Sequence, residues 1–307
     1  LGENLDELPL ARTRSPAHQG HFAIDGAFWR RAARAGATRL PGWFVRWAPP
    51  LIGAMIAMAS PRARGAILRR LARTRGPASA VRDAIDVLRT FASFASCLTE
   101  VLSTGSKNDG VPEATVHRSA RVAHLLASSE GLIFVTAHTA GWETMGALLA
   151  REHGKRVMIV MQRERDPAAR ALHDAAREAQ RGVQIAHVGG DPLASLPLMR
   201  HVREGGVVAL QIDRVPRGMA GRSVRLFGGP GVIPEGPLRL AQLTGAPIVP
   251  VFSSRTGHRR YAVHLGEPVH VARRAAPAEL DMAAQNLADA FGGFVTAHPT
   301  DWFAFDE

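Results

Sequence analysis

The chain has one cysteine in 307 residues, Cys97. An intramolecular disulfide framework and a zinc-finger scaffold are therefore both excluded. Lysine is almost missing as well: Lys107 and Lys155 are the only two, so 36 of the 38 basic residues are arginines. Residues 26–82 contain no acidic residue at all. The longest uncharged segment in that stretch, residues 47–61, has 15 residues and includes Pro49, Pro50 and Pro61. A bilayer-spanning helix needs about 20 apolar residues, so this segment is too short to cross unaided. It also begins too far into the chain, and lacks the flanks, for a signal peptide.

Several catalytic signatures are absent too. There is no Gly-x-Ser-x-Gly elbow, which removes the usual serine hydrolase reading of an α/β chain. No phosphate-binding G-x-x-x-x-G-K-[ST] occurs: Gly154-Lys155 comes nearest, with Leu149 and Arg156 at the discriminating positions. No H-E-x-x-H is present, so a metal site requires assembly from distant loops, and none is expected.

What the sequence does contain is a concentrated charge. The formal charge is +11, yet residues 26–82 alone carry +12 in twelve arginines, leaving −1 for everything else. Three partner classes fit such an excess: nucleic acid, an anionic membrane surface, or an acidic protein or substrate. Trp29, Trp43, Phe44 and Trp47 are interleaved with the arginines, and residues 51–59 form a short apolar run. Tryptophan and arginine beside a short apolar helix suit a segment lying in the headgroup region. The plainer alternative is a solvated face. No nucleic-acid motif is recognisable, so nucleic acid ranks last among the partners.

With 46% hydrophobic and 21% charged residues, the composition is that of a folded globular protein. Residues 1–25 read as a loose arm. Residues 26–110 read as a helical, membrane-proximal segment that ends in a turn-rich break at 105–112. Apolar residues from Val81 to Leu102 recur at helical spacing there. Residues 111–307 alternate strand-type runs (131–137, 156–161, 183–188, 207–212, 223–227, 247–253 and 261–265) with helical stretches near 142, 167–181, 193–203, 235–244 and 277–297. The class is α/β: a helical N-terminal lead-in, then a largely parallel central sheet covered by helices. In such sheets, functional residues sit in loops at the carboxyl ends of strands.

The most informative segment joins an apolar strand at 131–137 to His138-Thr-Ala-Gly-Trp-Glu143. Five residues across a strand-to-helix turn can return the Glu143 carboxylate to the His138 imidazole. A carboxylate on one ring nitrogen fixes the tautomer and leaves the other free to take a proton from a hydroxyl. The alternative is a histidine at a helix start and a glutamate stabilising the first turn.

This block resembles the His-x4-Asp/Glu block of the lysophospholipid acyltransferase superfamily, in its lipid A late acyltransferase branch. The likeness continues through the Pro-Arg-x-Arg of Pro61–Arg64, Val160-Met-Gln-Arg163, residues 205–213 ending in Asp213, and residues 224–230 and 240–251. It covers roughly residues 28–305 with block order preserved. Ala137, Ala140-Gly141 and Arg214 depart from the residues frequent there, which puts lipid A itself in doubt as acceptor.

The resemblance implies that His138 is the general base and Glu143 its orienting partner. The acceptor hydroxyl then attacks the thioester of an acyl carrier protein or coenzyme A. Oxyanion donors are either backbone N–H groups of the turn or Arg163; otherwise Arg163 holds a polar headgroup or is a plain surface residue. Asp213 positions the acceptor or buttresses Arg163, or else initiates a turn before Pro216. Gly141, Trp142 and Arg214 complete the expected substrate-binding set. Arg214, Arg217, Arg222 and Arg225 offer a second anionic site or a solvated loop, and Gly228, Gly229 and Gly231 a tight loop. No cofactor is implied.

The expected function is acyl transfer to a hydroxyl of a lipid or glycolipid, by a protein peripheral on the cytoplasmic face of the cell membrane. Rival readings are acylation of a polyketide or polyene, thioester hydrolysis, and a non-catalytic basic protein of the same fold.

Overall fold

The computed structural model describes residues 27–142, 148, 152–162, 183–188, 195–216 and 218–305. The expected arm at 1–25 and the helix at 167–181 lie outside them.

Four helices form the lead-in: α1 (Ala27–Arg39), α2 (Gly42–Ala59), α3 (Pro61–Arg75) and α4 (Ala80–Leu102). The breaks follow from local chemistry. Pro61 takes the first helical position of α3, where its missing N–H costs nothing. Gly76 ends α3 at φ 84°, and Ser79 caps α4 by accepting the Arg82 N–H. No single described helix is long and apolar enough to cross a membrane; α2 and α3 together have that composition but are bent by 99°.

Helix α2 has two faces. Val45, Pro49, Gly53 and Ala57 recur every four residues and turn inward. Trp43, Trp47, Leu51, Met55 and Met58 are each more than half exposed on the outside. The inner face meets α4 so closely that a Cβ on Gly53 would lie 2.4 Å from the Phe91 carbonyl oxygen.

Not all twelve arginines of the basic stretch serve its surface. Arg64 binds the last carbonyls of α2, Arg75 pairs with Asp83 and Asp86, and Arg70 is buried.

The remainder is a seven-stranded sheet in the order β1-β9-β8-β2-β5-β3-β4. Its strands are β1 (Glu113–His117), β2 (Leu132–Thr136), β3 (Val157–Gln162), β4 (Val183–Val188), β5 (Val207–Gln211), β8 (Ile248–Gly257) and β9 (Arg260–Leu265). All neighbours are parallel except the β8/β9 hairpin, so β1 and β9 run against the rest. The expected largely parallel sheet is present. Strand β1 and helix α5 (Ala120–Ala127) are additions: each is periodic but only five and eight residues long, too short to stand out in the sequence.

Alternation in β2 explains the layering. Ile133 and Val135 join a core with helices α6 (Leu196–Arg203), α7 (Gly236–Thr244) and α8 (Pro277–Ala297). Leu132 and Phe134 face the opposite way, toward α5 and Leu148.

A separate hairpin pairs β6 (Gly221–Leu226) with β7 (Gly229–Pro234). Its two-residue turn has positive φ at Phe227 (52°) and Gly228 (74°), the geometry that matches strand twist. The glycine-rich loop expected at 228–231 is thus a turn at 227–228, with Gly229 and Gly231 inside a strand.

We expect Gly53→Ala to force α2 away from α4 and lower stability by about 1–3 kcal/mol, as overpacking does. A denaturant titration checks this; an unchanged midpoint would show that the helix contact is looser than described.

Candidate active site

Strands β2 and β5 are parallel neighbours with Thr136 opposite Gln211, and the Ile212 N–H extends the ladder to the Thr136 carbonyl at 2.8 Å. Two residues past that pair, on each strand, come His138 and Asp213. The shared register delivers both to the carboxyl edge of the sheet, and there they meet. His138 Nδ1 lies 3.0 Å from both Asp213 carboxylate oxygens. Since an ionised carboxylate only accepts, Nδ1 carries the proton, and the lone pair of a neutral imidazole falls on Nε2.

The Asp213 side chain is wholly buried, whereas the His138 side chain is 29% exposed. Burial works to raise the Asp213 pKa. The His138 imidazole, the N–H bonds from His138 and Trp302, and the Arg214 charge outweigh it and hold the carboxyl below its ordinary value. The Trp302 bond runs from Nε1 to Oδ2 at 3.0 Å.

Trp302 belongs to an extended segment after α8 that lies along the loop following His138. Phe303 N–H donates to the His138 carbonyl at 2.7 Å, and Ala140 N–H donates to Asp301 at 2.8 Å. Behind it, Phe303 and Phe305 pack against Phe94, and Phe305 also against Phe91, both on α4. The segment therefore joins the lead-in to the loop.

The turn after His138 is equally constrained. Gly141 has φ 79°, and a Cβ there would stand 2.4 Å from the Tyr261 ring. Tyr261 is buried, and its hydroxyl donates to Glu100, which also accepts from Arg255 at 3.0 Å. Backbone N–H groups of Thr139, Ala140 and Trp142 already donate to carbonyls of Ala137, Asp301 and Thr139. Those three amides are committed to holding the loop, which narrows the expected choice of oxyanion donors. Cys97, near the Tyr261 hydroxyl, is no nucleophile: burial first, then Glu100, pushes its thiol up to about 12.

Beside the pair lies a small, mostly apolar cleft of about 60 Å³, partly open to solvent. It crosses one face of the sheet, from Val116 in β1, past Val263, Val251, Phe134 and Ala209, to Ile159 in β3. Thr136, Gln211 and Trp142 line it too, and the Trp142 ring stands edge-on to His138 with centroids 5.7 Å apart. Gln211 Nε2 is buried there without a hydrogen-bond partner.

Of the expected site residues, His138, Gly141, Trp142, Asp213 and Arg214 are brought to one place. Glu143 and Arg163 lie outside the described residues. Asp213 is found on the imidazole, a fourth option beside positioning the acceptor, buttressing Arg163 or initiating a turn before Pro216. Arg214 donates to the Phe303 carbonyl at 3.2 Å. Arg222 bridges Glu235 and Asp281, a structural use, and Arg217 lies outside the described residues. Sequence reasoning missed Trp302 and Arg70. Nothing local marks either one, since each acts across more than 80 residues. No group of three or more metal-binding side chains occurs among the described residues.

A largely parallel α/β sheet thus carries a histidine–carboxylate pair at its carboxyl edge, beside a mostly apolar cleft, an arrangement that can present a neutral imidazole as a base. The sequence matches the bacterial lipid A biosynthesis acyltransferase family over residues 36–307, and the chain belongs to that family. It is also similar to phosphatidylinositol mannoside acyltransferases from two strains of Mycobacterium tuberculosis, at 27% identity over 177 residues. That alignment covers 58% of this chain and 54% of each relative. The chain thus spans about half the length of the curated relatives it matches.

Gly141→Ala is expected to cost at least about 1–3 kcal/mol of stability, since it adds strained φ to a clash with Tyr261. Thermal unfolding checks this, and wild-type behaviour would show that the turn is not pinned by Tyr261.

Proposed function

We propose that this protein transfers a fatty acyl group from an acyl thioester, of acyl carrier protein or coenzyme A, to a hydroxyl of a lipid or glycolipid acceptor. The observation that carries the reading is the His138–Asp213 pair beside an apolar cleft. His138 Nε2 takes the proton from the acceptor hydroxyl as its oxygen attacks the thioester carbonyl carbon. The tetrahedral intermediate collapses, the C–S bond breaks, and the leaving thiolate recovers the proton from the imidazolium. Asp213 holds the imidazole and stabilises its charged form, as the third member of a catalytic triad does. The acceptor supplies the nucleophile, so no protein nucleophile, metal or bound cofactor enters the steps.

The acyl chain enters the cleft, whose lining is mostly aliphatic and aromatic, with Arg118, Thr136, Glu152, His153 and Gln211 as its polar members. Gln211 supplies a donor to the thioester carbonyl: its unpaired amide is costly to bury unless a ligand satisfies it. The outward stripe of α2, with Arg46 stacked on Trp47 at 5.0 Å, rests in the headgroup layer of an anionic membrane. Membership of the family supports the reaction class. The cytoplasmic membrane face is the location that suits these arginines.

His138→Ala is expected to reduce transfer from a labelled acyl thioester by about 10²–10⁴-fold in a variant that remains folded by circular dichroism, with a lowered melting temperature because the buried Asp213 carboxylate loses a partner. Full activity in the folded variant would sink the proposal. For the membrane contact, the double substitution Trp47→Glu and Leu51→Glu is expected to abolish flotation with anionic vesicles. Both side chains are exposed, so the fold should survive. Undiminished flotation would assign the contact elsewhere.

A further inference from the structure

Trp302 is held on several sides. Phe291 meets its ring edge-on at 5.1 Å, Phe227 lies at 5.7 Å, and the Arg70 guanidinium covers it at 5.3 Å. Arg70 comes from α3, in the basic lead-in, yet it is buried, and no carboxylate among the described residues pairs with it. It donates instead to backbone carbonyls of Pro299, Trp302 and Ala304. The arginine thus clamps the segment and its tryptophan together. The one polar atom of that ring, Nε1, is spent on Asp213. Phe227 reaches the ring from a turn with positive φ, which a phenylalanine adopts only at a cost. So much bracing is disproportionate for packing a single partly buried tryptophan.

We propose that Trp302 is a positioning residue for acyl transfer: it fixes the Asp213 carboxylate against His138, and Arg70 of the lead-in holds Trp302 in place. The inference rests on the acyl-transfer reading above. Without the indole donor, the carboxylate rotates more freely and its charge falls more fully on the imidazole. The imidazolium is then stabilised, so the free base needed for catalysis appears at higher pH. The other charged groups around Asp213 and Trp302 are Arg214, Arg70 and Asp301, whose carboxyl burial raises to about 6. Glu143, which follows in the catalytic loop, lies outside the described residues. All of these are unchanged in the two Trp302 variants below, so a shift in either reports the lost bond.

The test compares pH profiles of kcat/KM for the full chain with Trp302→Phe, and with Trp302 replaced by benzothienylalanine, which keeps the shape and lacks the N–H. Both are expected to lower kcat by about tenfold, with KM changing less than about twofold, and to move the acidic limb upward by about half a unit or more. The isosteric replacement keeps the test valid if the phenylalanine variant folds poorly. Arg70→Met combined with the isosteric replacement should lose less than the product of the two single losses. A wild-type limb and wild-type kcat in the isosteric variant would overturn the positioning role while His138→Ala remained inactive. An active His138→Ala enzyme would instead overturn the acyl-transfer reading, and this inference with it.

Discussion

Everything at the site depends on one buried hydrogen bond, between His138 Nδ1 and the Asp213 carboxylate. A fully buried carboxylate is costly unless its oxygens are satisfied. Here the imidazole and the Trp302 indole satisfy them, and Arg214 adds its field. The bond in turn exists only because β2 and β5 end in register. A slip of one residue would put Asp213 on the other face of the sheet. The central ladder, a feature of the fold, is therefore also the first requirement of the chemistry.

The lead-in is bound to the loop following His138 through the segment after α8. Phe91 and Phe94 take up the aromatic residues, Arg70 takes the carbonyls, and Ser93 donates to Asp301 at 3.2 Å. Arg73 reaches the β6/β7 hairpin, bonding Pro230 at 2.7 Å. A stretch whose sequence suggests only surface charge consequently has two functions. Its outer face is apolar and cationic, while its inner face braces the residues that hold Asp213. This gives a physical reason why twelve arginines occur without a single acid. Arg64 and Arg73 donate to backbone carbonyls, Arg75 and Arg82 pair with Asp86 of α4, and the two terminal nitrogens of the buried Arg70 donate to carbonyl oxygens.

Local pattern made some of this legible and hid the rest. The apolar run before His138 reads at once as a strand leading to a functional loop, because its period and length are self-contained. The same holds for residues 207–212 before Asp213, so both halves of the pair stand out. Their pairing does not, because strand order is non-local: β2 and β5 are 75 residues apart at the site. Within the sequence, Glu143 is the nearer carboxylate, and proximity along the chain favours it. Trp302 is less visible still, being one aromatic residue near the end of the sequence with no periodic context. Arg70 looks like its eleven neighbours, and only burial separates it from them. The cleft is likewise legible only as alternating small and branched residues on several strands. Its continuity needs the sheet order β1-β9-β8-β2-β5-β3.

The central claim is that the Asp213 carboxylate makes His138 a competent base. Asp213→Asn keeps the shape of the side chain and removes its charge, and it can reverse the hydrogen bond to favour the wrong tautomer. Single-turnover acyl transfer from a labelled thioester, in a variant shown to be folded, measures the consequence directly. The account predicts a loss of about 10²–10⁴-fold in the rate of the chemical step. Transfer at the wild-type rate would contradict it.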